Sequence, residues 1–217
     1  MPRALSIVVA LSLALTALTV RPASAQTPVD LTTPDPIANE LADLRLALLA
    51  ERRDAGVAIL VAGLASVVGG GLTAAFGHED PFLLAFGSAT AGWGAVNAAL
   101  SFALLDLDGG GARAIEADRV LRYEELARAR EAELRRQHEA ATLFALNAGL
   151  DVFYVATAAL LFALADSLDA ANDREMLRGY SVAQLSQGAF LFVFDLVEWI
   201  AASDRAGRVA RVPMVRW

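Results

Sequence analysis

Residues 56–76 read GVAILVAGLASVVGGGLTAAF, a stretch without one charged side chain. About 20 residues of this kind, wound as a helix, cover the roughly 30 Å of hydrocarbon in a bilayer. Lipid offers no partner to backbone N–H and C=O groups, so a crossing segment must satisfy them internally as a helix. Three further apolar runs of similar length follow, at about 82–105, 141–165 and 181–202. Gly77-His78-Glu79-Asp80-Pro81 is a tight turn between the first two. The fold expected is all-α, a four-span transmembrane helical bundle. With 56% apolar residues in 217, the composition agrees, because a soluble domain this short could not cover so much apolar surface.

Working outward, Asp35-Pro36 is a helix start, an Asp N-cap followed by proline at the first helical position. Ile37, Leu41, Leu44 and Leu48 recur at helical spacing, with Glu40, Asp43, Glu51 and Arg52 on the other face. Nothing breaks this amphipathic helix before the first span. A second charged segment, 106–140, opens with Gly109-Gly110-Gly111 and continues into the third span. Its pairs Asp118–Arg122, Glu124–Arg128 and Glu131–Arg135 have the spacing of exposed helical ion pairs. Few large apolar residues share one side there, which predicts a solvated helix. Two charged helices therefore extend spans one and three outside the bilayer, and the plan of charged helix, span, turn and span occurs twice.

At the N-terminus, Arg3, the apolar run Leu5–Val20 and Ala23-Ser24-Ala25 before Gln26 make residues 1–25 a signal peptide. Residues 26–35, with Pro28 and Pro34, are an extended linker; 36–203 form the membrane domain and 204–217 an Arg-rich tail.

Absent residue types exclude several chemistries. Without Cys there is no disulfide, thiol catalysis or Cys-ligated metal; without Lys there is no Walker-type phosphate loop or Schiff base. His78 and His138 both lie outside the strongly apolar runs, which excludes a bis-histidine haem within the membrane. The net charge of −7 comes from interleaved acids and arginines, so no dense basic patch points to nucleic acid. Neither cofactor nor metal is expected.

Span one carries a small residue every four positions, Ala62, Ser66, Gly70 and Ala74, a surface for close helix approach. The other spans each carry a polar stripe. Trp93 and Asn97 stand on span two; Asn147, Asp151 and Tyr154 on span three; Gln184, Gln187 and Asp195 on span four. A central Asp facing lipid costs roughly 2.5–3.5 kcal/mol, so the stripes are expected to turn inward and meet. These eight residues are the candidate polar core. The amides suit interhelical hydrogen bonding. Intramembrane carboxylates tend to mark proton or ion paths, and no Arg lies within the spans to pair with Asp151 and Asp195. Either they are protonated donors to the amides or they face a wet cavity. Glu198 and Trp199, near the end of span four, suit an interfacial anchor. No nucleophile or Ser-His pair accompanies the carboxylates, so a non-enzymatic protein is expected.

Four segments carry a resemblance: Trp93-Gly94-x-x-Asn97; Asn147-Ala148-Gly149-Leu150-Asp151-Val152-x-Tyr154; Gly179-Tyr180; and Gln187-Gly188-x-Phe190-Leu191-x-x-Phe194-Asp195-Leu196. In these the chain resembles a family of uncharacterised bacterial multi-pass membrane proteins, over about residues 40–202. The resemblance implies a small four-span bundle and carries no activity with it.

A signal peptide places residue 26 on the outer side of the bacterial inner (cytoplasmic) membrane, and both charged helices with it. The distribution of Arg argues the other way. Three arginines lie in 26–55, seven in 106–140 and four in 203–217, against only Arg174 and Arg178 on the opposite side, whereas basic residues normally stay inside. The three-part pattern of the signal is the more specific of the two. Membrane lipid surrounds the spans, and the charged helices suit a protein partner or an identical subunit. The rival reading is a small proton- or ion-coupled transporter or channel using Asp151 and Asp195; a third is a lipid or quinone held in the polar cleft beside Trp93 and Tyr154.

Overall fold

A computed structural model describes residues 36–213, so the signal peptide and linker expected over 1–35 lie outside the described residues, as do 214–217. The described residues form five α-helices and no strand: α1 (Pro36–Phe76), α2 (Pro81–Ser101), α3 (Gly110–Ala117), α4 (Tyr123–Leu164) and α5 (Ala171–Arg211). Short 3-10 turns follow α3 at Asp118–Val120 and α4 at Ala165–Ser167. Four helices, all but α3, are long and apolar enough to cross a membrane. At 1.5 Å per residue a helix of 41 residues is about 60 Å long, twice the hydrocarbon thickness. α1, α4 and α5 are therefore each long enough for a crossing half and a projecting half.

Local chemistry sets the helix boundaries. Asp80 caps α2, its Oδ1 accepting from the N–H groups of Phe82 at 2.8 Å and Leu83 at 3.2 Å, and Pro81 needs no partner there. Gly109, at φ 66°, makes the turn into α3. The first N–H groups of α3 are received by Asp108, from Gly110 at 3.0 Å, and by Asp106, from Gly111 at 3.0 Å and Ala112 at 3.1 Å. The bonds from Gly111 and Ala112 hold the Asp106 carboxyl below the usual carboxylate range. Glu125 reaches back to the N–H of Arg122 at 3.0 Å and closes the start of α4.

The spanning segments pack in the order α1, α2, α5, α4, with α2 against both α1 and α5, and α5 against both α2 and α4. Where α1 meets α2 the backbones touch. Gly63 lies against Gly94 and Ala98, and Gly70 against Gly87 and Ala91. This corrects the expected stripe: it runs through Gly63, Ser66, Gly70 and Ala74, and Ala62 is only half-buried beside it. Seven residues return a helix to within about 20° of its starting face, whereas each step of four drifts by about 40°. The matching glycines on α2, Gly87 and Gly94, are also seven apart. Gly69 and Gly71 face away from any neighbour, and α1 continues unbroken through all three glycines. On the outside of α1, Val57, Val61, Leu64, Val68, Leu72 and Phe76 are exposed in one stripe, the surface that hydrocarbon would solvate.

The projecting halves form a packed head. Ile37, Ala38 and Leu41 of α1, Leu126 of α4 and Val212 after α5 bury one another in a small apolar core. The expectation of a simply solvated second charged helix running unbroken into the third span is corrected here: the segment packs into the head and is broken between α3 and α4 at Leu121 and Arg122. None of its three anticipated ion pairs is among those formed. Asp118 instead pairs with Arg45 of α1, and Arg128 Nε donates to the carbonyl of Glu124 at 3.3 Å. α3 ends at Ala117 and the 3-10 turn after it at Val120, so Asp118 and Arg122 never share a helical face. The tail assigned from 204 is, as far as Arg211, the final two turns of α5. Arg130 fastens it by donating to the carbonyls of Val209 at 3.1 Å and Ala210 at 2.5 Å, a cation on a helix C-terminus.

Candidate functional site

Two polar assemblies lie along α5, one within its spanning half and one where the spans meet the head.

Within the spans, Asn97, Asp151, Gln184, Gln187 and Asp195 are buried, at 1%, 3%, 6%, 9% and 6% exposure. α5 occupies the middle of this group, between α2 and α4. The Asp151 and Asp195 side chains lie close to each other between α4 and α5, with the Asn147 amide beside Asp195. Gln184 Nε2 donates to the backbone carbonyl of Tyr154 at 3.3 Å. The Trp93 and Tyr154 rings meet edge-on, centroids 5.8 Å apart, and roof Gln184, Gln187 and Gly188. The void beneath them is about 10 Å³, room for one water molecule at most. Seven of the eight candidates thus lie inside or roof this interior, Trp93 half-buried. Asn147 and Tyr154 differ: both are exposed on the outer side of α4 even though they bond inward. The meeting of the stripes is therefore off-centre, because the spans stand in a row and not in a closed square.

The second assembly is a continuous ion network at the base of the head. Arg205 of α5, 4% exposed, donates from Nη2 to Glu198 at 3.0 Å and from Nε to Gln137 of α4 at 3.2 Å. It also lies 4.0 Å from Glu51 of α1. Gln137 Nε2 in turn donates to Glu133 at 2.7 Å, and Glu133 stands 3.5 Å from the buried Arg45. Glu198 is therefore an ion-pair partner, and the interfacial-anchor expectation is corrected for it; Trp199 beside it is 42% exposed. Sequence reasoning missed Arg45, Glu133 and Arg205, although the signal was present. Arg45 stands between Leu41 and Leu48 on the apolar stripe of α1, and Asp195, Glu198, Ala202, Arg205 and Val209 recur at three and four along one face of α5.

At the margin of the network, Arg208 forks onto both oxygens of Glu51 at 2.7 and 2.5 Å. That hydrogen-bonded guanidinium holds the Glu51 carboxyl below its ordinary range. A depressed carboxylate adds stability at neutral pH, and this is lost as pH falls through the folded-state value. Acid titration of unfolding should therefore show a shallower loss in Arg208→Gln than in the wild-type chain. The effect is small, because the Glu51 side chain is 40% exposed to screening solvent. Identical acid limbs in the two proteins would remove the assignment.

A helical protein with four helices suited to crossing a membrane, a polar interior and a charged head is the class this arrangement defines. The chain belongs to a family of unknown function (DUF6992), which matches residues 58–196. All eight candidate residues fall inside the matched segment, whereas Arg45, Glu51, Glu198 and Arg205 fall outside it. No curated protein and no solved structure matches the chain.

Proposed function

We propose that the chain is an integral membrane protein with a non-enzymatic, structural or interaction role, whose head receives a protein partner or a second copy. The observation that supports this is the preorganisation of the head. Its helices are locked to one another by the buried Arg45 and Arg205 and by an apolar core, leaving Glu40, Arg53, Asp54, Arg128, Arg135 and Glu139 displayed on a rigid support. A rigid charged surface loses little entropy on docking and can select its partner by charge complementarity. The narrow void under Trp93 also favours this reading over a quinone or lipid held in the polar cleft. The reading places the spans in the bacterial inner membrane with the head on the outer side, as an export signal over residues 1–25 would require.

Purification of the full chain in mild detergent, with in-cell crosslinking from position 128, should yield a dimer or a defined partner complex. A bare monomer with no crosslinked species would remove the interaction role. Labelling of a cysteine at position 128 only after membrane permeabilisation would reverse the orientation.

A further inference from the structure

Two buried side-chain atoms within the spans have no hydrogen-bond partner. Asp151 Oδ2 is buried without a donor, and Asn97 Nδ2 is buried without an acceptor. Helix register brings them to one depth. Gly179 of α5 lies against the Phe82 backbone of α2, and the two helices run parallel from that contact. Asn97 is then about 22 Å along α2 and Asp195 about 24 Å along α5, from the rise of 1.5 Å per residue. Around α2, Asn97 stands about 40° from Trp93, which meets Tyr154 of α4, and about 60° from Gly94, which meets α1. Its side chain is thereby set between the side of α2 that meets α1 and the side that meets α4, nearer the latter.

We propose that Asp151 and Asp195 form a proton-binding site within the spans, holding one proton between them at neutral pH, with Asn97 as the third polar wall. This goes beyond an interaction role for the head and does not depend on it. A buried, fully ionised pair would set two like charges in contact with no cation beside them, since Arg205 is engaged by Glu198 and Gln137. The titratable neighbours are few. On α5 the nearest is Glu198, one turn further toward the head; on α4 it is Tyr154; α2 presents only Trp93, Asn97 and Ser101. Glu198, which pairs with Arg205, stands between the pair and the ion network of the head. The unfilled donor of Asn97 and acceptor of Asp151 are the partners that a water carrying the proton would bridge. Release of the proton sets charge against charge between α4 and α5 and loosens their packing, so the site couples proton occupancy to the shape of the bundle.

Infrared spectroscopy of the full chain in liposomes tests this. At neutral pH the C=O stretch of a protonated carboxyl should be present, fade on alkalinisation, and be missing from the Asp151→Asn, Asp195→Asn double variant. Dicyclohexylcarbodiimide, an apolar reagent that attacks protonated carboxyls, needs no variant. It should modify Asp151 or Asp195 in the wild-type protein, with the yield falling about ten-fold per pH unit once the proton leaves. No protonated-carboxyl band at neutral pH, or carbodiimide adducts at other residues only, would overturn the proposal. Two ionised carboxylates around a bound metal cation would give that negative result.

Discussion

Arg205→Ala is expected to destabilise the folded chain by about 3–5 kcal/mol, the cost of breaking a buried ion pair from one side. Arg205 is 4% exposed and holds Glu198 and Gln137 together, so truncation leaves the Glu198 carboxylate buried to 12% exposure with no cation beside it. Its effect should spread to all three long helices of the head, since α1 is joined to this network through Glu51. A second substitution separates the pair from the charge. Arg205→Met with Glu198→Met removes both ions while keeping their volume, and should recover most of the loss, because an apolar replacement of a buried pair is often neutral. Unfolding of the three proteins in detergent with increasing denaturant decides the matter. A shift below about 0.5 kcal/mol for Arg205→Ala, the range of ordinary surface changes, would mean the network is ornamental.

Gly70→Leu should be the most damaging change within the spans. A methyl group built on Gly70 would stand 2.5 Å from the Ala91 nitrogen and 2.6 Å from the Gly87 carbonyl oxygen, and both are backbone atoms that cannot rotate away. α1 and α2 would have to separate. Overpacking a side-chain core costs about 1–3 kcal/mol, and a backbone obstacle lies at or above the top of that range. Without water in the bilayer, dispersion attraction between the touching backbones is the main force joining this pair, and separation removes it. Gly69→Leu is the matched control, since nothing lies within 4 Å of a side chain there. Titration with a denaturing detergent should unfold Gly70→Leu early and Gly69→Leu with the wild-type chain. Equal tolerance of both would show that the glycine contact does not hold α1 to α2.

Uninterrupted apolar runs made the four long helices legible in the sequence, because a bilayer demands length and apolarity in one continuous piece. The polar interior was legible for a related reason. Asp151 and Asp195 are too costly against lipid to face outward, helical spacing puts Gln184 and Gln187 on the side of span four that holds Asp195, and Asn97 belongs to a polar stripe on span two. The order of packing was not legible. A stripe of small residues says that some helix approaches closely, but only the paired spacing of Gly63 and Gly70 with Gly87 and Gly94 fixes which faces meet. For this reason Ala62 was a reasonable but misplaced member, and the exposure of Asn147 and Tyr154 was not foreseen. The packing of the head was not legible, because a charge pattern alone does not separate a solvated helix from one whose arginines are buried against acids. Arg45 and Arg205 sit on apolar faces, where a long side chain can bury its stem and find acids from two other helices.

Four crossings, with the head on one side of the membrane and both short turns on the other, are the central claim. The sequence contains no Cys, so single cysteines can be placed without background. Glu79 and Asp169 lie in the two turns, Arg128 and Asp204 on the head, and Leu64 and Leu146 on apolar outer faces of α1 and α4. With a membrane-impermeant maleimide on intact and permeabilised cells, positions 79 and 169 should react from one side and 128 and 204 from the other. Positions 64 and 146 should stay unlabelled in both. Reaction of 79 and 128 from the same side, or ready labelling at 64 and 146, would contradict the four-span arrangement.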